Sequence, residues 1–364
     1  MKYISFFIAL GMGSFTFSQQ TTNVPMTPQF WSLTPESAFS FEPFDGKPTL
    51  SLNGYAEVPD FDFTDGTIEV SVYAHTERAF AGIFFRKQQA TMDKVYLRMH
   101  KSKQVDAIQY TPIFGGESNW QLYREHQARI IFPEKGWNLL KIEIQGSAAI
   151  VFVNEKEVLK IEELKSEMTN GSVGLWSLFN NRFADFKITP KKPVIQTKTP
   201  VKITPGVVGT WWLSKAFPAS DFNDSILQRT TAQTPAQTET SGLLPISKYV
   251  EKNAKGAFEN NPEDFVIATI TIDAETTSSK RFSFDYSDRI ILYLNGKELF
   301  QGTNAFRAKG LQYAGHVAMH ANTVTLSLQK GINVLQCIVF EKANGWGLMG
   351  KFEDMEGIQI QKPL

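Results

Sequence analysis

An apolar strand, a tight turn at an asparagine and the start of a return strand are written twice in this chain. Residues 150–158 read Ile-Val-Phe-Val-Asn-Glu-Lys-Glu-Val, and residues 291–299 read Ile-Leu-Tyr-Leu-Asn-Gly-Lys-Glu-Leu. A two-residue hairpin turn needs positive φ at both central positions, which Asn and Gly tolerate best. The two turns, at Asn154 and at Asn295–Gly296, lie about 140 residues apart, and a β-sandwich occupies about 100 residues. Two sandwich-sized modules are therefore expected, with Asn154 and Asn295 as turn residues rather than ligands.

The rest of the pattern agrees. Short runs with period-two alternation recur between turns, as in Thr67-Ile-Glu-Val-Ser-Val-Tyr73, Lys94-Val-Tyr-Leu-Arg98, Leu139–Ile144 and Val266–Ile272. This predicts an all-β chain of two β-sandwich (jelly-roll) domains in tandem. Residues 1–18 read as a signal peptide: Lys2, an apolar run from Ile4 to Met12, and a small-x-small ending at Ser18. Residues 19–38 read as a flexible lead-in, 39–189 as the first sandwich, 190–206 as a linker rich in Pro, Lys and Thr, and 207–364 as the second sandwich. Residues 228–241, rich in Gln and Thr, read as a surface loop, and Leu244–Val250 as a short helical turn.

Lys and Arg total 37, and so do Asp and Glu. That balance supplies no electrostatic funnel for nucleic acid. No apolar run approaches the ~20 residues of a spanning helix, so membrane insertion is not expected. The single cysteine, Cys337, lies in a strand apolar on nearly both faces and reads as a buried, inert thiol. Export to the periplasm or beyond is the expectation.

Several phrases in the first module resemble the concanavalin A-like lectin/glucanase superfamily. They are Leu52-Asn-Gly-Tyr-Ala-Glu57, Ala81-Gly-Ile-Phe-Phe-Arg86, Gly136-Trp-Asn-Leu-Leu-Lys141 and Gly171-Ser-Val-Gly-Leu-Trp176. The module is also similar to the 3-keto-disaccharide hydrolase-type domains of secreted bacterial proteins, which share this two-sheet fold. The second module resembles galactose-binding-domain-like sandwiches, through Arg289–Leu299, Leu326-Ser-Leu-Gln-Lys-Gly-Ile-Asn-Val-Leu335 and Asn344-Gly-Trp-Gly347. These resemblances imply a carbohydrate partner and leave the oligomeric state open.

The catalytic motif of the laminarinase type, Glu-x-Asp-x-x-Glu on one strand, is absent. Asp60, Asp62 and Asp65 read as turn decoration, with room for a Ca²⁺ ion and no other cofactor expected. His316 and His320, at i,i+4 spacing in a Gly-flanked β region, are not read as a metal pair. Trp211, Trp212 and Trp346 could line a patch in the second module, though Trp212 and Trp346 read rather as core plugs.

The densest unusual stretch is 96–123, where Arg98, His100, Gln109, Tyr110, Trp120 and Tyr123 combine a guanidinium, an imidazole, an amide and flat rings. Such groups read sugar hydroxyls and stack on pyranose faces. Two readings stand: a ligand groove built from these six residues, or an internal polar network fixing a loop over the sheet. The functional expectation is a carbohydrate-binding protein without an evident catalytic dyad. The alternatives are a glycan-active hydrolase or lyase using Asp106, His100 or Glu125, and a structural interaction module of the cell envelope.

Overall fold

The computed structural model describes residues 20–194, 202–223, 225–229, 233–253 and 261–363. The expected leader lies outside the described residues. The chain is all-β, and its strands enclose two sandwich cores.

In the first sandwich, one layer runs through Lys47–Glu57, the start of Ser172–Lys191, Phe80–Gln88, Thr91–Leu97 and Ile108–Phe114. The facing layer runs through the end of Ser172–Lys191, Asp65–Ala74, Gly136–Gln145, Ala148–Val153 and Lys156–Ile161. The long Ser172–Lys191 strand passes from one layer to the other through irregularities between Ser177 and Asn181 and between Ala184 and Lys187. Alternation sends Ile83, Phe85, Val95, Leu97 and Leu175 inward to meet Val70, Val72, Leu140, Ile142 and Val151.

The segment read as a flexible lead-in belongs to this sandwich. Thr22–Val24 pairs with the Ser172–Lys191 strand, and Ser32–Leu33 pairs with Lys47–Glu57. Val24, Met26 and Trp31 are buried in the core, with the Trp31 ring edge-on to Phe186 at 5.2 Å. Three well-placed apolar side chains outweigh the polar, proline-dotted composition that suggested a loose segment.

The second sandwich packs two sheets. The larger runs Thr234–Gln237, Thr210–Leu213, Asp264–Ala274, Gly331–Glu341, Arg289–Leu294 and Lys297–Thr303. The smaller runs Leu243–Pro245, Gly347–Phe352, Ser278–Ser287 and Asn322–Leu328. Thr234–Gln237 thus turns part of the expected 228–241 loop into a strand, while Ile246–Lys248 forms the expected helical turn. Trp211, Trp346 and Cys337 are buried in this core, and Trp212 packs against it. Burial pushes the Cys337 thiol up, so it stays protonated. The second apolar face of its strand is explained by a satellite cluster, in which Ile338 and Phe340 are covered by Phe217, Phe222 and Ile226.

The repeated phrase forms the same device in both modules. Asn154 and Glu155 have φ of 50° and 64°, and Asn295 and Gly296 have 53° and 77°. Each asparagine also pins the strand beside its hairpin. Asn154 Oδ1 accepts from Leu139 N at 2.9 Å, and its Nδ2 donates to Asn138 Oδ1. Asn295 Oδ1 accepts from Val334 N at 2.8 Å, and its Nδ2 donates to Asn333 Oδ1. Replacing either with Ala removes two hydrogen bonds and a residue tolerant of left-handed backbone. A loss of about 1–2 kcal/mol per site is expected from urea denaturation, and a change below 0.5 kcal/mol at both would contradict this role.

Candidate functional site

The outward face of the first layer carries an aromatic row. Register places Trp176 beside Tyr55 on one side and Gly82 on the other, and Gly82 beside Tyr96. The next row holds Gly174, Phe84 and Lys94. Gly174 matters here, because a Cβ at that position would strike the end of the Phe84 ring. The rings meet edge to face or tilted, Trp176 and Tyr96 at 5.2 Å, Tyr55 and Phe84 at 5.8 Å. Trp176 and Tyr55 remain half-buried and reachable.

Lys94 stands in the middle of this face. Its Nζ lies 3.5 Å from the centroid of the Trp176 ring and 5.6 Å from that of Tyr96. Its relative exposure is 3%, and no carboxylate pairs with it among the described residues. Desolvation pushes its pKa down to about 7. The ring faces give the ammonium some cation–π compensation.

The six residues singled out from the sequence divide between this face and the seam of the two sandwiches. Arg98 closes the Lys94, Tyr96, Arg98 alternation. Its Nη1 bonds Asp106 at 2.9 Å, its Nη2 bonds the Tyr96 hydroxyl at 2.8 Å, and its guanidinium lies 5.1 Å from the Trp120 ring centre. Burial works against the Asp106 charge, but Arg98 and Lys101 hold its carboxyl below the usual range. His100 sits not on the strand but in the single turn Met99–Lys101 that follows it. Its Nδ1 meets the Ala79 carbonyl at 3.0 Å, and burial lowers its pKa to about 4. An ionised, salt-bridged Asp106 and a neutral His100 are poorly suited to donate a proton near pH 7.

Trp120 is held from the second sandwich: its Nε1 donates to Asn344 Oδ1 at 2.8 Å, and its ring meets Phe306 and His316 edge-on. Gln109, Tyr110 and Tyr123 are fully buried and bonded within the protein. The Gln109 amide donates to the Tyr110 and Tyr123 carbonyls and accepts from Gln127. Tyr110 faces the core and donates to Asp93 at 2.7 Å. Tyr123 donates to Glu239 of the second sandwich at 2.7 Å. A ligand has no access to these three side chains in this arrangement, because the second sandwich closes over the 119–123 segment. Ser247 donates to Asn119, Gln121 donates to the Ala314 carbonyl, and Leu122 and Tyr123 cluster with Leu243, Val317 and Met349. Within this stretch the internal-network reading accounts for Gln109, Tyr110 and Tyr123, with the cover supplied by the other domain rather than by a loop.

The acidic turn divides as well. Asp65 is buried in an ion pair with Arg86 at 2.7 Å, and Asp62 accepts from Asn170. Among the described residues, no cluster of three or more His, Cys, Asp or Glu is placed to hold a metal.

Three functional candidates were missed in the sequence. Lys94 and Trp176 lie within phrases used only to recognise strands and a family resemblance; extending the Arg98 alternation two steps back would have reached Tyr96 and Lys94. Phe179 gives no sequence signal. It adopts φ 62° at the irregularity of its strand, a left-handed backbone unusual for a bulky residue. Ser177 Oγ at 2.6 Å and Asn181 Nδ2 at 3.1 Å hold its carbonyl, and Asn181 is anchored in turn on the Phe80 carbonyl. The Phe179 ring is left 43% exposed beside Phe80, and the Arg78 guanidinium lies 5.6–5.7 Å from both ring centres.

The chain is similar to several solved structures, each over about half of its length. A Bacillus subtilis protein of unknown function with a galectin-like fold is 12% identical, covering 48% of this chain and 96% of its own, with a TM-score of 0.36. The carbohydrate binding module CBM66 from Bacillus subtilis is 14% identical over 46% and 95%, with a TM-score of 0.29. A β-1,3-1,4-glucanase from a mouse hindgut metagenome is 11% identical over 48% and 99%, with a TM-score of 0.34. Likenesses at this level say nothing of activity. No curated protein matches the chain. Residues 48–189, the body of the first sandwich, match the family model of the 3-keto-alpha-glucoside-1,2-lyase-like domain.

Proposed function

We propose that this chain is an exported carbohydrate-binding protein whose first sandwich lays a glycan across its outward aromatic face. The observation that carries the reading is the reachable Trp176–Tyr55 pair set beside Lys94. Flat rings offer the apolar C–H face of a pyranose a surface, and a neighbouring donor fixes the orientation of its hydroxyls. The family model at residues 48–189 points to sugar chemistry as well. Trp176→Ala is expected to weaken binding at least tenfold in calorimetry against an oligosaccharide panel, with the thermal midpoint shifted by only a few degrees. A panel bound equally by wild type and variant would remove this face from the function.

A lyase reading is favoured by the family model matched at residues 48–189, with Lys94, whose burial favours the uncharged amine, as the base that would take a proton from carbon beside a sugar ketone. Turnover of a 3-keto-glucoside by wild type and none by Lys94→Met would establish it. Binding without product release would leave the protein a binder.

A further inference from the structure

The charges on the outward face are lopsided in a chain that is otherwise balanced at 37 acidic and 37 basic residues. Lys87, Lys94, Arg98, Lys101 and Arg78 bring cations to this face, Lys94 and Arg98 buried within it. The paired carboxylates among them are Glu57, held by Lys87, and Asp106, held by Arg98 and Lys101. Two cations remain without a carboxylate among the described residues: the buried Lys94 and the ring-clamped Arg78. The Nε of Arg98 is also buried without a hydrogen-bond partner.

We propose that the face selects an anionic glycan, one bearing carboxylate or sulfate groups, with Lys94 and Arg78 as the anion-reading residues. The proposal rests on the reading of this face as a carbohydrate site. An ammonium removed from water and left without a counter-ion is unfavourable in the empty protein. A ligand carboxylate or sulfate would supply the missing charge where screening by water is weak. A neutral sugar cannot do so, so the same feature rejects it. Arg78 adds the second contact. Its guanidinium is oriented by Phe80 and by Phe179, whose strained backbone is held by Ser177 and Asn181. Strain maintained to present an exposed ring is characteristic of ligand-contacting segments. Along the strand, Lys94 and Arg98 stand about 13 Å apart at about 3.3 Å per residue, leaving room for more than one sugar ring.

Binding should also depend on pH. The groups facing Lys94 are the uncharged rings of Trp176, Tyr96 and Phe84, the Lys87–Glu57 pair over Phe84, and the Arg98–Asp106 pair further along the strand. None of these carboxylates is bonded to Lys94, so the ammonium is the group whose proton the ligand must retain. Affinity for an anion should fall as pH rises from 6 to 9.

The test uses the full chain and calorimetric binding. Trimers of galacturonate, glucuronate and mannuronate are each compared with their carboxyl-reduced counterparts, and sulfated galactotriose with galactotriose. At least one anionic trimer should bind tenfold or more tightly than its neutral partner. Lys94→Met and Arg78→Gln should each cut that preference to under threefold, and Lys94→Met should flatten the pH dependence. Preference for uronate over sulfate, or the reverse, identifies the anion. Equal binding of charged and neutral partners, or a preference that survives both substitutions, overturns the proposal while leaving the carbohydrate reading intact. No binding by any charged or neutral glycan overturns both.

Discussion

Lys94→Met is expected to make the protein more stable, by about 1–4 kcal/mol at pH 7, the range found when even paired buried charges give way to well-packed apolar side chains. In the unfolded chain this lysine binds its proton below about pH 10.5; in the folded protein it does so only below about 7. Between those limits the unfolded state holds more protons, so the lysine's contribution to stability becomes more favourable as pH rises. Below pH 7 its unfavourable contribution is complete and constant. Methionine has a similar unbranched shape and can keep its contacts with Trp176, Tyr96 and Phe84. Urea titrations at pH 6, 8 and 10 should show the variant gaining most over wild type at pH 6 and least at pH 10. A variant less stable than wild type at pH 6 would mean that the ammonium is satisfied in a way the cation–π contacts do not capture. A side chain that destabilises the fold and faces outward among reachable rings is retained more plausibly for a ligand than for packing, which links this measurement to the binding proposal.

What the sequence made legible was local. The hairpins at Asn154 and Asn295 were readable because turn chemistry is decided by two residues and their φ angles, and both strand patterns obey period two. The all-β class and the first module's likeness to the family model that residues 48–189 match followed from phrases contained within single strands and turns. The 96–123 stretch was harder. Trp120 is bonded to Asn344, Tyr123 to Glu239 and Gln121 to the Ala314 carbonyl, all partners more than a hundred residues away. Nothing at those spacings distinguishes a polar side chain bonded across a domain seam from one offered to a ligand. Trp31 was missed for a related reason: its partner Phe186 lies at the far end of the module, beyond the reach of composition. Lys94 was within reach by alternation, but its lack of a carboxylate partner is a fact of three dimensions.

The seam itself can be opened by one change. Leu122 is buried outside both sandwich cores, in the small cluster with Tyr123, Leu243, Val317 and Met349. Side-chain atoms of Leu122 occupy the space where a Cβ would stand at Gly345 and Gly347, so the second sandwich has been kept bare there to admit it. Leu122→Asp would place an uncompensated carboxylate in that contact, and a loss of about 3–5 kcal/mol is expected. Because neither core includes Leu122, the loss should fall on the association of the sandwiches rather than on either one. Wild type should unfold calorimetrically as one transition, since the Asn119–Ser247, Tyr123–Glu239, Lys165–Glu239 and Lys248–Glu167 contacts reinforce the same seam. The variant should show two transitions and stronger quenching of Trp120 by an aqueous quencher. If Leu122→Asp melts in a single transition at an unchanged midpoint, the seam is not what couples the domains. If it melts in two, its glycan affinity becomes informative in turn. Trp120 is positioned from Asn344, so a ligand that reaches the Arg98 end of the face should bind the uncoupled protein more weakly. One confined to Trp176, Tyr55 and Lys94 should bind it as tightly as wild type.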